Sequence, residues 1–256
     1  MRRTTWPARL LSVATGPLIL AGCATRTVVF DMEPGQGAIS GTPGRSGLVV
    51  AAPHGTEDVR TADIAADLGR RTGFGVVIAT GFAIEPDTRE GPGRRYQVNR
   101  PTEGAPGRSP SEEVPTDCAR EVYEAYEARV REVARGPLRL LAEIHGNNHG
   151  DSAGRIEIAT VGVDRELAFR LRALLELIRD AHLQGLAEAP RLDVLIEPAD
   201  TLRYTASGAK RCGILKSVER ALHIELPKAA RAEWREVYTA ILADFLVQAA
   251  AYDPGR

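Results

Sequence analysis

Gly47-Leu48-Val49-Val50-Ala51-Ala52-Pro53-His54-Gly55 is an unbroken run of small and apolar residues closed by a proline, a histidine and a glycine. A strand buried on both faces carries such a run without polar alternation, and strands of that kind belong to parallel sheets covered by helices. The turn that ends the run puts His54 at a strand's carboxyl end, where open α/β sheets collect their functional groups. Outward from it, Arg60 to Arg71 has Ile64, Ala65 and Leu68 at helical spacing and Gly73 as a stop signal, and Gly75 to Ala83 is a second apolar run. Leu138 to Ile144, Arg155 to Val163 and Leu192 to Glu197 are further strand candidates, with amphipathic helices predicted over Ala119 to Ala134 and Arg165 to Leu183. Leu222 to Leu226 alternates before Pro227, and Ala229 to Ala251 reads as one long closing helix. Strands alternating with helices predict a single α/β domain: a mostly parallel mixed sheet with helices on both faces.

The amino-terminal end reads differently. Arg2, Arg3 and Arg9 precede an apolar stretch from Leu10 to Leu20, and Leu20-Ala21-Gly22-Cys23 follows, the pattern of a secretory signal rather than of a membrane span. Leu-Ala-Gly-Cys resembles the lipobox of bacterial lipoproteins, which implies cleavage after residue 22, lipid on Cys23 and attachment to the envelope through that lipid alone. Ala24 rather than Asp after the cysteine points, by the same resemblance, to the outer membrane of a diderm. Residues 23–46, rich in Gly, Pro, Thr and Ser around Val28-Val29-Phe30, read as a tether with an early edge element, and 47–256 as the domain. Loss of residues 1–22 removes three arginines and no acids, moving the formal charge of the 256-residue chain from −1 to −4. No nucleic-acid footprint is visible in that balance. Export also permits a disulfide between Cys118 and Cys212, with two free thiols as the alternative.

His54-Gly55-Thr56-Glu57 places an imidazole and a carboxylate three apart in a turn. A catalytic zinc site takes three ligands of the His and carboxylate type and leaves one position open. His54, Glu57 and His145, the last at another predicted strand end, can supply them, although either histidine taken singly is more usually a structural residue with no metal. Residues 84–117 form a long, Pro- and Gly-rich loop, a length that suggests function, and Asn99 and Arg100 lie within it.

The order His54-x-x-Glu57, Asn99-Arg100, His145 after an apolar strand, then Glu225 in His-Ile-Glu-Leu-Pro is similar to the pattern of the zinc carboxypeptidases and their relatives. Those relatives include the N-formylglutamate amidohydrolases, whose Asn-Arg-Pro segment Arg95 to Pro101 resembles. The resemblance spans residues 47–227 and implies a phosphorylase/hydrolase-like fold. It implies one Zn²⁺ on His54, Glu57 and His145, Glu225 as general acid and base, and Arg95 facing the developing oxyanion. Asn99 and Arg100 would hold a substrate carboxylate, with Tyr204 in the loop 199–213 lying over the substrate. The sequence departs from the family before Asn-Arg, where Gln97 and Val98 replace an acidic residue.

The activity so implied is hydrolysis of an amide or peptide bond in a substrate with a free carboxylate, either a small peptide or an N-acyl amino acid of the formylglutamate type. Export favours the peptide. A ligand-binding lipoprotein of the same fold is the non-catalytic alternative, and no Gly-x-Ser-x-Gly elbow supports a serine hydrolase. His149 competes with His145 as a ligand, His223 alternates with Glu225 in its strand, and His182 falls on a helix surface.

Overall fold

The apolar run before His54 lies in the middle of an eight-stranded sheet, as its lack of polar alternation requires. The computed structural model describes residues 25–31, 36–86, 88, 93–108 and 112–252. Among them the chain forms β1 (Arg26–Asp31), β2 (Gln36–Thr42), β3 (Arg45–Ala52), α1 (Thr61–Thr72), β4 (Phe74–Thr80), β5 (Glu103–Gly104), β6 (Glu113–Val114) and α2 (Asp117–Ala134). β7 (Leu140–Gly146), β8 (Arg155–Val161), α3 (Arg165–Leu183), β9 (Asp193–Ile196), α4 (Ser207–Cys212), β10 (Ala221–Leu226), α5 (Lys228–Arg231) and α6 (Arg235–Ala251) complete it.

The sheet order is β1-β2-β4-β3-β7-β10-β8-β9. Its centre, β4-β3-β7-β10, is parallel; β8 runs antiparallel to β10, and β1 and β2 pair antiparallel at the other side. Period-two alternation sends Leu48, Val50, Leu140, Ala142, Ile144, Leu222 and Ile224 to one core beneath α1, α3 and α6. Val49, Ala51, Leu141 and Ala221 go to the opposite core beneath α2 and α4. Both faces are therefore covered, as expected of a sheet with apolar central strands.

Three expectations are corrected. Cys23 and the leader lie outside the described residues, but much of the segment read as a tether is sheet: β1 is one edge strand and β2 pairs with β4. The small residues that made β2 resemble a linker serve packing, because a Cβ on Gly37 would overlap the Phe82 ring and one on Gly41 would overlap Arg129 and Val133 of α2. The single closing helix is two, broken at Ala232, whose backbone leaves helical geometry at φ −112, ψ −94. The short α5 stays at the strand ends while α6 packs on the sheet. The long loop carries the two-stranded ribbon of β5 and β6. Among the described residues no helix is long and apolar enough to cross a membrane.

Candidate metal centre

Towards the carboxyl end of the sheet, the face beneath α2 and α4 changes from apolar to ionisable. In the parallel pair β7 and β10, His223 lies opposite Glu143 and Glu225 opposite His145, so alternation places two acids and two imidazoles side by side. β8 adds Glu157 opposite Glu225. His54 enters from the turn after β3, where the Asp58 N–H bonds the His54 carbonyl at 2.8 Å and brings residue 58 back beneath residue 54.

One oxygen of Asp58 lies between the two imidazoles, 3.4 Å from His54 Nδ1 and 3.3 Å from His145 Nδ1. These three side chains offer ligand atoms within 4.8 Å of one another. Of the far nitrogens, His54 Nε2 is 3.1 Å from the Gln97 carbonyl, whereas His145 Nε2 is 3.7 Å from Glu143 Oε2, beyond hydrogen-bond distance, and has no hydrogen-bond partner. At His54 that arrangement fits a metal, because an N–H donated outward to a carbonyl leaves Nδ1 with its lone pair turned inward. The electrostatics agree. Burial alone would push the Asp58 carboxyl up, but hydrogen bonds from His145 and His54 hold it far below the ordinary range. Burial would lower His145, yet Asp58 and Glu143 overrule it and its imidazole is pushed up to about 10. The pocket thus draws in positive charge, and a divalent ion meets that demand as a proton does.

The carboxylate at this centre belongs to Asp58, not Glu57. Glu57 Oε1 is buried without a hydrogen-bond partner and joins no ligand group. Adjacent acids cannot be told apart without the pitch of the turn.

Glu143 is absent from the sequence-derived site and lies at its base. It is wholly buried, accepts from Tyr126 Oη at 2.9 Å and Asn99 Nδ2 at 3.1 Å, and sits 3.4 Å from His223 Nδ1. Burial would raise its carboxyl, but His145 and His223 hold it well below the usual range. His223 bridges on to Glu225 Oε1 at 3.3 Å and stacks on His145, ring centroids 3.9 Å apart. Counting back two residues from His145 along an alternating strand would have found Glu143. A second cluster, Glu143, His145 and His223, also has metal-ligating atoms within reach. All three are buried, and Glu143 is already held by Asn99 and Tyr126, so it forms a wall rather than an open site.

Residues taken for substrate binding divide. A cavity of about 590 Å³ is lined by His54, Asp58, His145, Tyr204, Arg211 and Glu225, among others. Tyr204 therefore faces the site; burial and then the Glu225 charge push its phenol up. Its main-chain N–H and that of Arg203 both bond Glu157 Oε2, at 3.0 and 2.7 Å, so Glu157 fixes this wall. Asn99 is fully buried and turned to Glu143, not to the cavity. Arg100 lines the cavity, but its guanidinium grips both oxygens of Glu113 and donates to Asn99 Oδ1. Arg95 lies 3.7 Å from Asp58 Oδ1 and is not among the residues that line the cavity. Between them Val98 holds a left-handed φ of 51°, strained for a β-branched residue, which lets the Gln97 carbonyl reach His54 and the Asn99 amide reach Glu143.

Cys118 and Cys212 are both free thiols: Cys118 is exposed at the start of α2, and Cys212 Sγ donates to the Gly208 carbonyl at 3.3 Å. His149 accepts from the Asp151 N–H and lies outside the cavity lining, and His182 bonds Asp244.

No protein-family description matches the chain, and no curated protein does. Solved structures similar to it include a bacteriophage poly-γ-glutamate hydrolase, 12% identical over 90% of this chain and 89% of that one at a TM-score of 0.43. A candidate metallopeptidase of Shewanella amazonensis is 11% identical over 88% and 85%, TM-score 0.44. An aspartoacylase family protein of Mesorhizobium loti is 15% identical over 94% and 71%, TM-score 0.40.

Proposed function

We propose that the protein is a zinc-dependent hydrolase of amide or peptide bonds in a substrate that carries a free carboxylate. The observation that supports this most is the convergence of His54 Nδ1, Asp58 Oδ2 and His145 Nδ1, with the far nitrogen of His54 on the Gln97 carbonyl, beside a cavity that Glu225 enters. His54, Asp58 and His145 hold the ion. Zinc at such a site supplies a Lewis-acid centre that polarises an amide carbonyl and lowers the pKa of water. Glu225, tied to no arginine or lysine among the described residues, takes a proton from water on its carboxylate and returns it to the leaving nitrogen. Its contact with His223 keeps the carboxylate turned into the cavity. Tyr204 closes over the reacting group from the wall that Glu157 fixes. Arg211, which pairs with no carboxylate among the described residues, carries the free positive charge for the substrate's carboxylate, because Glu113 occupies Arg100. We take the leader and Cys23 to place this activity on the bacterial envelope, held by lipid.

Elemental analysis and turnover test the proposal together. Asp58→Asn should lose zinc and Glu57→Gln should keep it. Glu225→Gln should keep zinc yet lose at least about a hundredfold in turnover on a short peptide, the usual scale for a general base. Full zinc occupancy in the His54→Ala, His145→Ala double variant would overturn the site. Full activity of Glu225→Gln would remove Glu225 from the chemistry.

A further inference from the structure

The edge of the sheet opposite the metal centre carries a cavity of about 980 Å³, where β3, β7 and β10 begin. Arg45, Arg139, Arg170 and Arg220 line it, against one carboxylate, that of Glu219. A chain of formal charge −1 thus turns a positive face outward here. Most of that charge is uncompensated: of the four arginines only Arg170 forms an ion pair among the described residues, with Glu166 on its own helix. Neutral groups hold the others. The Arg45 guanidinium lies 5.4 Å from the centroid of the Phe74 ring, Arg139 Nη2 donates to the Ser46 carbonyl at 3.2 Å, and Arg220 Nη1 donates to the Ala249 and Tyr252 carbonyls at 3.3 and 2.6 Å. Each contact fixes a guanidinium without cancelling its charge. Arg220 is 7% exposed and serves as a staple behind the rest, whereas Arg45 and Arg139 are exposed and open to a ligand.

The direction of β1 says what this face meets. β1 is antiparallel to β2 and β2 to β4, so β1 runs the same way as β4, β3, β7 and β10. All five begin at one edge, and the chain therefore enters the sheet, three residues after Cys23, from the edge that holds the arginines. We propose that this edge is the face the domain lays on an anionic membrane, with the phosphate of a phospholipid headgroup taken between Arg45 and Arg139. Guanidinium N–H groups match phosphate oxygens in pairs, and basic residues beside a membrane anchor are drawn to anionic lipid. A free phosphate offers the same chemistry, but the point of entry of the chain favours the bilayer, because lipid on Cys23 holds this edge at the surface. Two arginines grip far less firmly than acyl chains, so the face orients the domain rather than anchors it. His54 and His145 then point away from the bilayer, about 20 Å from it at roughly 3.3 Å per residue along β7.

The test uses residues 23–256 with Cys23→Ser, a chain that keeps every described residue and carries no lipid. It is sedimented with vesicles of phosphatidylglycerol and phosphatidylcholine in equal parts and with vesicles of phosphatidylcholine alone. The anionic vesicles should bind it at least about tenfold more tightly, and Arg45→Gln with Arg139→Gln should lower that binding by about tenfold or more, the scale of two arginines leaving an anionic surface. Arg45→Lys with Arg139→Lys keeps the charge and should bind within a few-fold of the unsubstituted chain. Equal affinity for the two kinds of vesicle would overturn the proposal. A lysine pair that fails as the glutamine pair does would make both residues structural props and overturn it as well. So would an equal loss in Arg108→Gln with Arg191→Gln, two exposed arginines outside the cavity, since net charge alone would then be at work. Inorganic phosphate that binds in calorimetry through Arg45 and Arg139 while the vesicles are ignored would assign the cavity to a soluble anion and remove the membrane face.

Discussion

At the scale of single residues, Glu143 shows how much of the site depends on one buried side chain. Its two oxygens take Tyr126, Asn99 and His223, and its charge orients His145 from behind. Partners behind a metal-binding histidine are commonly worth tenfold to a hundredfold in metal affinity. Glu143→Gln should therefore weaken zinc binding by about that factor in competition with a chromogenic chelator, while unchanged affinity would show that His145 needs no carboxylate behind it. Far from the site, Asp180 accepts from Arg191 Nε and Nη2 and from Arg179 Nε at 2.8 to 2.9 Å, and these bonds, Arg191 first, pull its carboxyl down to about 2. A carboxyl lowered by folding contributes stability above its unfolded pKa, about 3.9, and loses it as pH falls through the folded value. Asp180→Asn should thus cost less than about 1 kcal/mol at pH 7, the scale of an exposed pair. The difference from the parent in urea unfolding should shrink between about pH 4 and pH 2, and a difference that persists at pH 2 would assign the effect to packing.

At the scale of elements, helices lie close on the sheet because small residues permit it. Gly69 sits in α1, where alanine would gain up to about 1 kcal/mol of helix propensity. A Cβ there would overlap Val76 Cγ2 on β4, so Gly69→Ala should instead destabilise, by about 1 to 3 kcal/mol for overpacking. Val76→Ala in the same chain should restore much of the loss, and a double-mutant cycle without coupling would show that the helix moves away at no cost. The same close packing explains why β2 has the composition of a linker and the position of a strand. α5 and Arg231 work differently: the short helix holds a guanidinium beneath the ends of β7 and β10 and the turn after β3, which sets the spacing of the three segments that carry His145, Glu225 and His54.

At the scale of the whole molecule, an ion held by His54 and Asp58 from one turn and by His145, 91 and 87 residues further on, should act as a cross-link of the fold. Chelation of the zinc-loaded protein should lower its melting temperature. If free zinc stands a thousandfold above its dissociation constant, linkage predicts a loss of about 4 kcal/mol. A melting temperature indifferent to chelator would mean that no ion bridges these segments. The lipid anchor is tested on the same scale, because β1 begins only three residues after Cys23 and the domain would then stand close against the membrane. Cys23→Ser should release the protein from the membrane fraction, and retention equal to the parent's would remove the anchor.

Periodicity is written locally, and the sequence by itself was enough for whatever rests on it. The apolar runs at 48–52 and 140–144 had to be central strands, the spacing in 165–183 had to be a helix, and the carboxyl ends of those strands had to bring His54 and His145 to one edge. Pairing is not local. Which of Glu57 and Asp58 meets the imidazoles depends on the pitch of one turn, and Glu113's claim on Arg100 depends on a ribbon that no periodicity announces. Glu143 drew no attention because an acid inside an apolar strand looks like an exposed face until Tyr126 and Asn99 are seen covering it. Strand and helix follow from neighbours along the chain, whereas a site's charges are balanced by groups the chain brings from dozens of residues away, and only the tertiary structure decides which ones arrive.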